Sequence, residues 1–213
     1  MSAINQRQCL SLLFLLCVLL GFCSCDSNLG VNIYDKEQLA TLPAKINKYV
    51  KPDMQVTELT FMPTSAKHFT DIMESVSITY VDPANPQRLK EMKIDLAGDK
   101  MEDSKEVFLN RSEFLLKKEL EKAASIKNLD YSVIYTNLEK AARQVSAQEL
   151  DNAGTHSYSI GMDKDPALVK HHMVLNGKPK KGATSLQGRR LVTNYYELPF
   201  TADAKGDVTM DEN

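Results

Sequence analysis

His171 and His172 are adjacent in a chain with four histidines, and imidazole is both a common metal ligand and a general base. Their spacing argues against a shared ion. In a strand, neighbouring side chains point to opposite faces, so one ring is expected to pack and the other to meet water. His68 and His156 could join either ring only through tertiary placement, and no Cys/His/Asp/Glu cluster has ligand spacing, so no metal is expected. Serine chemistry has no better basis. Gly-x-Ser-x-Gly is absent, and Ser185 in Thr184-Ser185-Leu186-Gln187-Gly188 matches no nucleophile elbow. Asp163-Lys164-Asp165 lacks the glycine and distal glutamate of a calcium loop. Acidic groups such as Asp99, Glu102 and Asp103 would serve glycosidic chemistry only inside a cleft. No cofactor is expected.

The residues best placed for binding are cationic and aromatic. Lys178, Lys180, Lys181, Arg189 and Arg190 follow one another with no acidic residue among them. Such a run makes a local positive patch, suited to anionic lipid headgroups, phosphates or an acidic partner, or simply to solvation. Tyr195 and Tyr196 follow closely and would present one ring to each face of a strand. One is expected in the core; the other, with Tyr158 or Tyr131, would line a groove.

All four cysteines (Cys9, Cys17, Cys23 and Cys25) lie in the first 25 residues. That stretch carries Arg7, no acid, and a 14-residue apolar run from Cys9 to Phe22. A membrane-spanning helix needs about 20 residues, so the run is a better match to the apolar region of a secretory signal. Leu19-Leu20-Gly21-Phe22-Cys23-Ser24-Cys25 resembles the lipobox of bacterial lipoproteins. Ser24 is a small residue before Cys25, whereas Cys23 would follow the bulky Phe22. The resemblance implies diacylglycerol on Cys25, cleavage before it, and a place in the cell envelope, expected at the outer membrane. Two acyl chains anchor durably where one is marginal. An ordinary secretory signal is the alternative.

Beyond the signal, the 28 acidic residues all remain against one fewer than the 26 basic ones. That near-balance argues against a nucleic-acid partner. With no cysteine after Cys25, stability rests on packing and hydrogen bonds. The remaining length suffices for one proper core or two small ones.

These candidate residues need elements to hold them. Asp35 is a plausible N-cap for a helix from Lys36 to Val50, kinked or delayed by Pro43. Met54–Phe61 alternates with a change of register. In Glu74–Val81, Val76, Ile78 and Tyr80 oppose Ser75, Ser77 and Thr79. Asp82–Gln87 is a turn, and Arg88–Leu96 completes a hairpin with one wet face. After a polar interruption at Ala97–Lys105 come a helical block around Phe114–Ala124 and a second helix over Ser132–Leu150. Asp151–Gly154 closes that helix. Strands are then expected around Tyr158–Ile160, Leu168–Leu175 and Leu191–Leu198, with a long polar loop from Asn176 to Arg190 and a stop at Pro199.

The order helix–strand–strand–strand thus occurs twice, suggesting a tandem duplication. The expected class is α+β, with antiparallel sheet and helices packed on one face. The expected organisation is a signal peptide (1–24), a tether (25–35), a first α+β unit (36–105), a second with an extra helix (106–200), and a flexible acidic tail (201–213). The element order is similar to that of outer-membrane assembly factors and tandem-repeat protease or β-lactamase inhibitors. The functional expectation is a lipid-anchored envelope protein, held to the membrane by its N-terminal lipid. It would act as a binding, adaptor or assembly module toward an envelope protein, anionic lipid or glycan. The alternative is a carboxylate-dependent hydrolase of glycan or cell-wall material.

Overall fold

A computed structural model describes residues 30–63, 69–107, 113–187 and 190–211. Cys25, His68 and Arg189 lie outside the described residues, and of Arg190 only the backbone is described. Strand β1 is Val31–Asn32. Asp35 caps α1 (Lys36–Leu39), its carboxylate accepting from the amides of Glu37 and Gln38 at 2.9 and 3.2 Å. Pro43 lies in the first turn of a separate helix, α2 (Leu42–Asn47), where a missing N–H costs nothing. The single helix expected from Lys36 is therefore two, and Leu39, Leu42 and Ile46 all turn into the core.

Strand β2 (Val56–Met62) pairs with β4 (Ser75–Val81), with a register shift between Val56 and Glu58. That bulge is the register change visible in the sequence. It lets Val56 and Thr57 both bury before Leu59 and Phe61 resume alternation. β3 (Ile72–Met73) pairs with β1. β5 (Leu89–Asp95) and β6 (Lys100–Glu106) continue the sheet outward. α3 (Glu113–Lys122) and α4 (Ser132–Ala147) follow, then β7 (Leu150–Gly161) and β8 (Lys170–Pro179). The chain ends with a small hairpin of β9 (Thr184–Gln187) and β10 (Arg190–Thr193), then β11 (Tyr196–Ala202) and β12 (Val208–Met210).

Eight strands form one sheet in the order β12-β11-β8-β7-β2-β4-β5-β6, every neighbour antiparallel. The protein is α+β, as its element pattern implies. Read outward from the central β2–β7 pair, each half lays down its strands in chain order. α1 and α2 precede one half and α4 the other, so the two halves are mirrored about the centre. Glu58↔Gly161 through Phe61↔Tyr158 join the halves. The apolar face of α4 (Ile134, Leu138, Ala141 and Val145) belongs to the same buried cluster as Leu39, Phe61, Tyr158, Leu175 and Phe200. One core therefore spans both halves, and each buried leucine or phenylalanine contributes roughly 1.5–3 kcal/mol of transfer energy.

Several segments differ from the sequence expectation. Ala97–Lys105 is not simply an interruption: β6 is a strand with every residue exposed, an edge that is charged or polar at every position but Met101. Asp151–Gly154 does not end a helix but lies inside β7. Gly154 takes φ +130, and a side chain there would meet the Thr70 amide nitrogen at 2.6 Å. Pairing shifts on either side of Thr155, so this is a bulge. Asn176–Pro179 extends β8, and the expected loop carries the β9–β10 hairpin. Pro199 does not stop its strand. It pairs with Val174, and its carbonyl accepts from the Asp211 amide at 3.0 Å, at the end of the β12 ladder where its missing N–H leaves little unpaired. From residue 201, where a tail was expected, the chain completes β11, turns at Asp203–Gly206 and forms β12.

Candidate functional site

Strand alternation sends Val76, Ile78, Tyr158 and Ile160 into the core and sends their neighbours to the opposite face. Because β2 and β7 pair, the hydroxyl stripes of the two halves meet. One register row crosses all eight strands: Glu102, Lys93, Ser77, Thr60, Ser159, His172, Thr201 and Thr209. All eight are half-buried or exposed. The central residues are short, and Thr60 Oγ1 and Ser159 Oγ lie 3.0 Å apart. Charge collects at the β5–β6 margin, with Lys93 at 4.0 Å from Glu102, and on β7 His156 Nδ1 lies 3.6 Å from Glu197 Oε1. Ser75, Thr79 and Ser157 flank the row on the same face. α3 lies at one end of this face, where Lys118, Glu119 and Lys122 border a groove with Thr57, Lys170 and His172.

Within the row, Thr201 donates to the Asp211 carboxylate at 3.1 Å and lies 3.2 Å from His172 Nδ1. Its single proton is thereby used, so Nδ1 must carry the hydrogen. Together the row supplies several hydroxyl donors and acceptors, an imidazole and one ionic rim. Its groups can hydrogen-bond to an extended polar ligand.

The cationic segment lies at the end of the sheet where β8 stops. Lys178 Nζ sits 4.4 Å above the Phe69 ring, and Phe69 meets Tyr195 edge-on at 5.2 Å between centroids. Lys180 and Lys181 are exposed. Tyr195 is half-buried and Tyr196 is 56% exposed. Neither joins the buried core cluster, so the expectation that one of the pair is core does not hold. Tyr131 and Tyr158 are 5% and 0% exposed and belong to the core, not to a groove. Phe69 was absent from the sequence reading. It lies far from the lysines in sequence, and only the Gly154 bulge, against which residues 69 and 70 pack, brings it there.

The histidine pair divides as expected. His171 is buried and His172 exposed. Asn137 of α4 donates to the Tyr158 hydroxyl at 3.1 Å, and that oxygen lies 3.0 Å from His171 Nδ1. The phenol proton is free to go to Nδ1, which selects the neutral Nε2–H tautomer. Burial first, and the neighbouring His172 second, push the His171 pKa down to about 4. A second polar cluster lies beneath Tyr34. Asn152 donates to its hydroxyl at 3.1 Å, and Thr155 donates to Asp71 at 3.1 Å. Burial raises the Asp71 pKa against the opposing effect of Thr155. Burial, followed by the Asp71 charge, raises that of Tyr34. Among the described residues no three His, Cys, Asp or Glu side chains converge to hold a metal.

No family model matches the chain, and no curated protein matches it. A search of solved structures finds a Clostridium difficile 630 protein described as a candidate lipoprotein. It aligns with 86% of this chain and 93% of that one, at 14% identity and a TM-score of 0.39. That degree of likeness carries no assignment. Among the described residues no helix is long and apolar enough to cross a membrane.

Proposed function

We propose that this chain is a lipid-anchored cell-envelope protein that acts by binding, and that its open sheet face is the binding surface. The polar row crossing all eight strands, with hydroxyls on five of them, carries this reading. A sheet face left to solvent needs only scattered polarity. Here short Ser and Thr side chains occupy the middle and the Lys93–Glu102 pair one margin, leaving a broad polar floor for an extended peptide or glycan. Anchorage rests on the lipobox-like residues ending at Cys25. Tethering concentrates the surface at a membrane and raises its effective concentration toward neighbours there.

The catalytic alternative would need a carboxyl held ready to donate a proton. Among the described carboxyls, Asp71 has the raised proton affinity, yet Thr155 pins it, and the grooves around α3 and β5 are lined by other residues.

The test is to recover the anchored protein from its native membrane beside a Ser77→Trp/Ser159→Trp variant, with unchanged circular dichroism as the control for folding. The expected result is a co-purifying envelope component that the double variant loses. Equal recovery by both proteins, or release of sugars from cell-wall material by the purified protein, would overturn the reading.

A further inference from the structure

The chain enters the fold at a particular place. Gly30 packs against the Met73 carbonyl, where a side chain's first carbon would sit at 2.3 Å. The next residue, Glu74, donates its amide to Met62 at the end of β2 and accepts from the Leu96 amide just past β5. Gly30 is therefore level with that end of the sheet. β7 and β8 do not stop there. β2 pairs with β7 only as far as Tyr158, whereas β7–β8 pairing runs on to Leu150↔Pro179. At about 3.3 Å per residue, and allowing for the two register shifts, this ribbon overhangs by roughly 20–25 Å. Its tip carries Lys178, Lys180, Lys181, Tyr195 and Tyr196, with Phe69 packed beneath Lys178.

Residues 26–30 span at most about 17 Å even when fully extended. A lipid on Cys25 would thus place the bilayer nearer to Gly30 than the ribbon is long. The tip must meet the membrane or lie along it. Its chemistry suits that position: Lys178 over the Phe69 ring, two exposed lysines and two tyrosines combine surface charge with amphipathic rings of the kind found at membrane interfaces. The acidic neighbours are Glu149 just before β7, Asp151 opposite Lys178, and Glu197 beside Tyr196, the last with His156 Nδ1 at 3.6 Å; Lys180 and Lys181 are exposed beyond them at the end of β8.

We infer that the β8–β11 end, through Lys178, Lys180, Lys181, Phe69, Tyr195 and Tyr196, is a contact surface for an anionic bilayer, and that it fixes how the anchored domain stands. This rests on the anchor reading for its orientation, while the contact itself is testable without the lipid. The buried core runs from Val31 to Ala202 and is flanked by Met210, so a chain beginning at residue 26 keeps all of it.

That chain is sedimented with vesicles of phosphatidylcholine alone and of phosphatidylcholine with phosphatidylglycerol. Binding is expected only to the anionic vesicles and should weaken with salt. Each lysine near the surface is worth roughly fivefold, so Lys178→Ala/Lys180→Ala/Lys181→Ala should lose about 100-fold. A control neutralising Lys117, Lys118 and Lys122 on α3, at the other end of β2, should bind as the unmodified protein does. Equal binding by the triple variant, or a matching loss in the α3 control, would overturn the inference, as would failure of the unmodified chain to bind anionic vesicles. The mass of the native N-terminus separates the two readings. A lipidated Cys25 with no vesicle binding sinks the contact alone. An unmodified Cys25 with lysine-dependent binding sinks the anchor and keeps the contact.

Discussion

Between pH 6.5 and about 4 the unfolded chain takes up a proton at His171 that the folded chain refuses, because the ring is buried against Tyr158 beside His172. Stability present above pH 6.5 is therefore lost as the pH falls. The loss should reach roughly 2 kcal/mol by pH 5 and about 3 kcal/mol near pH 4. Urea midpoints at pH 7.5, 6 and 5 measure it, and a His171→Gln variant should show a flatter profile over that range. If the unmodified protein and the variant share one pH slope, His171 is not buried as described. Removing the hydroxyl between Asn137 and His171 tests the same network from its middle. Tyr158→Phe leaves a buried donor and a buried acceptor unpaired, and should cost roughly 1–3 kcal/mol for each group, read from the same denaturation curves. His171-His172 adjacency made the split between buried and wet rings legible in the sequence. The partner Tyr158 was visible only as a core residue, because its link to Asn137 depends on how α4 crosses β7.

At the level of elements, strands with clean alternation were readable and strands built on irregularity were not. β4 and β5 show their buried face directly, and the bulge in β2 announces itself as a register change. β7 hides its first half because Asp151–Gly154 has the composition of a turn, while its bulge needs a glycine there for the same reason a turn would. β6 has no apolar residue buried, so nothing marks it except its neighbour. Gly154→Val should therefore be among the costlier single changes. It adds a clash with the Thr70 backbone to a conformation that L-residues avoid, a cost of 1–3 kcal/mol or more, measurable as a lowered melting temperature. By contrast, Phe114 on α3 is 73% exposed and touches no core. Phe114→Ser should move stability by less than about 0.5 kcal/mol. The hydroxyl row was half legible. Ser75, Ser77 and Thr79 stand out in one half and Ser157 and Ser159 in the other, but their union depends on β2 choosing β7 as its partner.

For the whole molecule, the mirrored strand order supports the proposal that the two halves arose by duplication, yet the halves now share one sheet and one buried cluster. Neither half closes its own core, since β2 and β7 each need the other as a neighbour. Unfolding should therefore be one cooperative transition, with fluorescence and far-ultraviolet dichroism coinciding across a urea titration. Two separated transitions would mean that the halves are independent units. The arrangement gives the protein distinct surfaces: a helix-covered side that holds it together, an end with lysines and aromatic rings that we propose meets the membrane, and an open face, turned away from the core, that we propose binds. The central claim is that the open face does the binding, and site-specific photocrosslinking in the native envelope tests it most directly. Probes at Ser77 and Ser159 should give one discrete adduct in common, which a probe at Gln144 on α4, on the opposite side of the sheet, does not give. Adducts of equal yield from both sides, or none from the open face, would contradict the account.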